Sequence, residues 1–199
     1  MKIPLILASS SEFRQSIFKK INLPFSSFRP EIDETARVNE TPEQLVLRLA
    51  EQKARTATKH YAQGLVIGSD QVAVHQNQIL GKPHTKSNAV AQLQRFSGQK
   101  VTFLTGLCLY NIEQNKSVSI VEPFNVYFRN LNKNQISAYC DAEQPYQCAG
   151  SFKSEGLGIC LFEKLEGNDP NSLIGLPLIQ LTQMLLDQGI DILTENSTA

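Results

Sequence analysis

The sequence has no excess of charge of either sign, with nineteen lysines and arginines balancing nineteen aspartates and glutamates over 199 residues. It therefore lacks the broad positive field that holds nucleic acid polymers or anionic membranes, whereas a free nucleotide needs only a local cluster of cations. The four cysteines, Cys108, Cys140, Cys148 and Cys160, form no CxxC pair, and none has a histidine at metal-ligand spacing, which argues against zinc. Apolar neighbours such as Leu107, Leu109, Ile159 and Leu161 instead predict small buried hydrophobes in a reducing compartment. His60, His75 and His84 have no patterned partner, and surface positions are expected for all three. There is no long apolar run: the stretch up to Ala8 is short and ends in serines, so neither a signal peptide nor a membrane span is expected, and the cytoplasm is the expected location. Without an internal repeat or a low-complexity linker, a solenoid or structural array is disfavoured.

What is present is a mixture of strand and helix signals with 41% hydrophobic residues, enough for one core. Leu5-Ile6-Leu7-Ala8 reads as a buried strand running into a helix that begins near Ser9-Ser10-Ser11-Glu12, with Phe13, Ile17 and Phe18 at helical spacing. Thr41-Pro42-Glu43-Gln44 reads as a capping box for a second helix carrying Leu45, Leu49 and Lys53. Leu65-Val66-Ile67 predicts a strand interrupted at Gly68-Ser69-Asp70-Gln71, and a helix through Ala89, Val90 and Leu93 stops at Ser97-Gly98. Residues 101–110 and 118–128 predict paired strands, 132–141 a short helix, 159–162 a late strand and 177–189 an amphipathic closing helix. The expected fold is a single α/β domain over residues 1–193, its mixed, partly antiparallel sheet flanked by helices, with 194–199 as a flexible tail.

The serines at 9–11 could present hydroxyls and free backbone N–H groups to an anion, with Arg14 adding a charged fork; simple helix capping and a solvated Arg14 explain the same residues. Asp33, Glu34, Asp70 and Lys53 supply hard oxygens and a cation that could hold a divalent metal against a polyphosphate. Placing Asp70 in a turn and Asp33-Glu34 in a solvated loop is the plainer alternative.

Taken in order, Leu7 to Ser11 with Arg14, Asp33-Glu34, Leu47 to Ala50 with Lys53, Gly68 to Gln71, Gly81-Lys82-Pro83, Thr105-Gly106, Ala149 to Gly156 and Asn168 to Pro177 resemble the motif series of the Maf family. The resemblance spans residues 5–187 and implies a Maf/ITPase-like fold, a nucleotide cleft, a homodimer, and hydrolysis between the α and β phosphates. It implies Asp70 as proton acceptor, Lys53, Lys82 and Arg14 as further catalytic groups, and Glu34 with Asp70 as ligands of Mg²⁺ or Mn²⁺. Ser9, Phe13, Gln71, Lys153 and Glu155 fall at substrate-binding positions. Gly150 to Gly156 and Asp70-Gln71 resemble the branch acting on 7-methyl-GTP, with the dTTP/UTP branch, or a nucleotide sensor of cell division without turnover, as alternatives.

Overall fold

In the computed structural model, which describes residues 3–197, strand β1 (Leu5–Ala8) is buried throughout and leads to Ser11. Ser11 caps helix α1 (Glu12–Phe18) by accepting the Arg14 N–H, and β2 (Phe25–Phe28) then lies parallel to β1. Helix α2 (Pro42–Arg55) opens with the expected capping box between Thr41 and Gln44. Strand β3 (Leu65–His75) pairs parallel with β1, then reverses through Gln76 and Asn77, both at positive φ, into β4 (Gln78–Leu80). Helix α3 (Lys86–Phe96) precedes the long antiparallel hairpin of β5 (Lys100–Asn111) and β6 (Lys116–Phe128). Helix α4 (Lys133–Glu143), strand β7 (Phe162–Gly167) and helices α5 (Pro170–Ile174), α6 (Leu178–Asp187) and α7 (Ile192–Ser197) complete the chain.

The sheet order is β2-β1-β3-β5-β6-β7, with β4 added to β3. Its first strands run parallel, joined by crossovers through α1 and α2, whereas β3–β5, β5–β6 and β6–β7 are antiparallel, β5 and β6 forming a hairpin. This is the expected mixed α/β architecture. Against one face, α2 packs Ala50 and Ala54 onto Ile6, Val66 and Cys108. Against the other, Ile17 and Phe18 of α1 and Leu181 and Leu185 of α6 cover Leu7, Ile67 and Leu107. At the far end Phe96, Phe103, Phe128 and Phe152 form an aromatic cluster under α3 and α4. No helix of the described residues is long and apolar enough to cross a membrane.

Several local expectations are corrected. The polar run Gly68 to Gln71 does not interrupt its strand: the β3–β5 ladder continues unbroken from Leu65 to Val74. Residues 157–161 form a 3₁₀ turn rather than a strand, leaving Ile159 and Cys160 exposed, so Cys160 is not a buried hydrophobe. His75 is not on the surface; it is 4% exposed and packs edge-on against Phe96. Residues 192–197, read as the end of the domain and a tail, form helix α7, where Asn196 Nδ2 donates to the Ile21 carbonyl at 3.0 Å; positions 198 and 199 lie outside the described residues.

Candidate active site

Strand alternation divides the polar run of β3 between the two faces of the sheet. Gly68 and Asp70 face α2. A Cβ on Gly68 would stand 2.1 Å from the Ala50 carbonyl oxygen, and one on Gly106 of β5 would stand 2.2 Å from that of Val46. The two glycines therefore let α2 lie directly on the sheet. That approach carries Lys53, 6% exposed, onto Asp70, 8% exposed: Lys53 Nζ donates to Asp70 Oδ1 at 2.6 Å. The same ammonium lies 2.8 Å from Glu34 Oε1, which comes from the loop between β2 and α2. Two carboxylates thus converge on one cation at the floor of a cleft. The Glu34 side chain is more than half exposed and its burial works to raise its pKa, but hydrogen bonding and charge from Lys53, with Lys82 and Arg14, outweigh this and hold the carboxyl below its ordinary range.

Ser69 and Gln71 point to the opposite face and engage α5 and the turn that follows it. Ser69 Oγ donates to the Gly175 carbonyl at 2.9 Å, and Gln71 Nε2 donates to Thr105 Oγ1 and to the carbonyls of Ser172 and Leu173 at 2.9, 2.7 and 3.2 Å. Arg14 Nε donates to that same Gly175 carbonyl at 2.8 Å, which fixes the guanidinium against the turn. Gly175 has φ 119°, a conformation that favours glycine, and a Cβ there would lie 3.3 Å from Arg14 Nε. Burial lowers the Arg14 pKa, while the charges of Asp70 and Glu34 act against that shift; a guanidinium so placed remains a cation. Asp169 takes a purely architectural part, accepting from Asn171 N–H and Ile179 N–H at 2.8 Å each and so tying α5 to α6.

Ser9, Phe13, Arg14, Glu34, Lys53, Asp70, Gln71 and Lys82 all line one cleft of about 1560 Å³. Glu155 lies in an adjoining recess of about 150 Å³, shared with Phe13, Arg14, Lys82, Cys148 and Ser154. Phe13 is 39% exposed, so it faces the cleft rather than the core its helical spacing suggests. Ser9 is turned to its own loop, its Oγ accepting the Ser11 N–H at 3.1 Å. Lys153 departs from expectation: it lines neither cavity, and its Nζ donates to the Glu143 carbonyl at 2.7 Å and pairs with the Glu143 carboxylate at 3.5 Å. Glu155 lies in the turn 154–156 and accepts from Ser154 Oγ. Gly175, whose carbonyl accepts from both Arg14 and Ser69, carries no signal of that role in the sequence beyond membership of the motif series.

Among the described residues no group of three or more His, Cys, Asp or Glu side chains could hold a metal without other ligands. The cleft lining nonetheless carries Glu12, Glu31, Asp33, Glu34 and Asp70 against Arg14, Arg29, Lys53 and Lys82, so its fixed charge does not favour a polyanion. Glu34 and Asp70 already converge on a cation, and together with phosphate oxygens they match the oxygen-rich ligation of Mg²⁺ or Mn²⁺.

Comparison with known proteins gives the lineage. Residues 4–188 match the family described as Maf-like protein. The chain belongs to the Maf family. Its Maf relatives include the 7-methyl-GTP pyrophosphatase of Pseudoalteromonas translucida (strain TAC 125), 68% identical over 99% of this chain and 98% of that protein. Those of Colwellia psychrerythraea (strain 34H / ATCC BAA-681) and Vibrio vulnificus (strain CMCP6), which carry the same name, are 56% and 54% identical over 97% and 95% of this chain and 96% and 97% of theirs. A nucleoside-triphosphatase (dITP/XTP pyrophosphatase) from Mycobacterium abscessus ATCC 19977 / DSM 44196 aligns over 65% of this chain and 76% of its own, with a TM-score of 0.40 and 15% identity. The Maf motif residues Arg14, Glu34, Lys53, Asp70 and Lys82 are the ones gathered in the cleft.

Proposed function

We propose that this Maf protein hydrolyses 7-methyl-GTP to 7-methyl-GMP and pyrophosphate. The observation that carries the reading is the convergence of Glu34 and Asp70 on Lys53 in the cleft of a chain 68% identical to a protein named for that activity. A sensor without turnover would gain nothing from two carboxylates beside a triphosphate, because their repulsion weakens binding unless a cation offsets it.

In this reading Arg14 and Lys82 take the phosphate oxygens, with Arg14 oriented by the Gly175 carbonyl and Lys82 reaching in from the loop after β4. Lys53 holds Asp70 through Oδ1, and Asp70 accepts the proton of the water that attacks the α-phosphorus through its other oxygen. The bond from the α-phosphorus to the bridging oxygen breaks, and pyrophosphate leaves with that oxygen. Glu34, and Asp70 before it takes the proton, would hold Mg²⁺ or Mn²⁺ together with phosphate oxygens; the ion would supply charge neutralisation at the phosphates and acidify bound water. In the adjoining recess Glu155 and Phe13 meet the base: the carboxylate can accept from N1–H and the exocyclic amine of guanine, and the aromatic face attracts a ring made cationic by N7 methylation. Gln71, which lines both the cleft and the recess, is held by its Nε2 on the 172–173 carbonyls and so is fixed beside the base.

Incubating the protein with 7-methyl-GTP, GTP, UTP and dTTP plus Mg²⁺ or Mn²⁺, and separating the products, tests the reading. Pyrophosphate and 7-methyl-GMP as initial products support it; inorganic phosphate with a diphosphate, or preference for UTP and dTTP, sinks it. We also place the protein in the cytoplasm, in keeping with four free thiols, and propose a homodimer, to be checked by sedimentation.

A further inference from the structure

Glu34 is held at Lys53 by a segment with no regular structure, since residues 29–41 contain neither helix nor strand. Its carboxylate is therefore placed only as well as that loop is anchored. The anchor is on α2, seated by the two close-packed glycines. Arg48 Nε donates to Glu40 Oε1 at 2.5 Å and one terminal nitrogen donates to Glu40 Oε2 at 2.7 Å, a bidentate fork. That same terminal nitrogen donates at 3.1 Å to the carbonyl of Thr35, the residue after Glu34, and the other donates to Gln52 Oε1 at 3.1 Å. On the loop side, Glu40 Oε2 also accepts the Arg37 N–H at 2.9 Å, and Asp33 Oδ1 accepts the Thr35 N–H at 2.9 Å. Hydrogen bonding from Arg48 holds the Glu40 carboxyl down to about 2, so the fork stays charged at any physiological pH.

We infer that Arg48 and Glu40 form a positioning clip that sets Glu34 against Lys53 and Asp70 by gripping the peptide beside it. Arg48 and Lys53 lie on the same helix, so one rigid element holds both the loop carrying Glu34 and the cation it meets. Only arginine serves, because one planar group must fork onto a carboxylate while also reaching a carbonyl, and an ammonium cannot do both in fixed geometry. Neither Arg48 nor Glu40 lines the cleft, so the clip acts through Glu34 and not on the substrate.

The inference rests on Glu34 working in the cleft as proposed above, and a double-mutant cycle separates the two claims. Arg48→Ala, Arg48→Lys, Glu34→Ala and the two combinations are assayed for kcat and KM on 7-methyl-GTP across a Mg²⁺ titration, with Tm measured for each. Arg48→Ala and Arg48→Lys should each lower kcat/KM by at least about tenfold, with more Mg²⁺ needed for half-maximal rate, because a small misplacement of a catalytic group is costly. In the Glu34→Ala background the same changes should cost under about twofold, while the Tm shift stays the same in both backgrounds. Glu40→Gln, which keeps an acceptor for Arg48, should recover most of the rate lost in Glu40→Ala. An equal loss with and without Glu34, or wild-type rates in both Arg48 variants, overturns the clip. Should Arg48→Ala fail to fold, Arg48→Lys, which keeps charge and length, carries the same cycle. A Glu34→Ala protein with wild-type kinetics removes Glu34 from the site, and the clip with it, before Arg48 is touched.

Discussion

Asp70 and Lys53 are seventeen positions apart and meet in a buried ion pair, which gives each residue a distinct consequence when changed. Asp70→Asn keeps the shape of the side chain and removes its basicity, so kcat should fall at least about 10²-fold, the scale of a lost general base; turnover near wild type in a product-resolved assay would move the chemistry elsewhere. Lys53→Met leaves Asp70 buried without its cation, and breaking a pair of this kind destabilises by about 3 kcal/mol. A denaturant midpoint unchanged by Lys53→Met would show that water already compensates Asp70. For the base, Glu155→Gln keeps size and one acceptor but loses charge, so the ratio of kcat/KM on 7-methyl-GTP to that on UTP should fall substantially, whereas an equal loss on both would make Glu155 structural. At this scale residue type and motif order singled out Arg14, Glu34, Lys53, Asp70 and Lys82, and the fold brings these five to one cleft. The placement of Lys153 was not legible, since its partner Glu143 lies on α4, ten residues away and out of reach of any local periodicity.

Among the elements, α2 decides most, because it carries the cation, the clip and a glycine-lined seat on the sheet. Gly106→Ala would place a methyl 2.2 Å from the Val46 carbonyl oxygen, backbone that cannot swing aside. The helix must lift, so we expect a destabilisation of about 1–3 kcal/mol or more and a parallel loss of activity as Lys53 is drawn from Asp70. A wild-type Tm and rate for this variant would mean that α2 has slack the close approach does not suggest. The strong local signals of this scale were readable: the capping box at Thr41, the paired run of β5 and β6, and the apolar stripe of α6. What escaped were elements too short for a period to show, the four-residue edge strand β2, the three-residue β4 and the five-residue α5. The apolar run at 159–162 misled for the same reason, since a few apolar residues fit a strand or a 3₁₀ turn equally and only the packing of Leu161 decides.

For the molecule as a whole, two sets of titrating groups give folding stability two separate acid limbs. His75 sits at the end of β3 with neither ring nitrogen hydrogen-bonded among the described residues, and Phe96 covers it. Burial foremost, and the charge of Arg95 on α3 second, push its pKa below the ordinary 6.5. The unfolded chain therefore binds a proton on this ring more readily than the folded one does. The neutral ring's contribution is complete above pH 6.5 and is lost as pH falls toward and through the lowered folded value. The second limb belongs to Asp33, Glu34, Glu40, Glu51 and Glu166, whose carboxyls are all held below their ordinary values by hydrogen bonds and cations. Their contribution is present above the ordinary carboxylate range and is lost only below it. Denaturant unfolding measured from pH 8 to 3.5 should thus show stability declining first below about pH 6.5 and again below about pH 4.5. His75→Phe, which fills the same apolar site without a titrating group, should abolish the first decline and leave the second. If His75→Phe and the wild type lose stability in parallel between pH 6.5 and 5, the buried ring is not the group that titrates there.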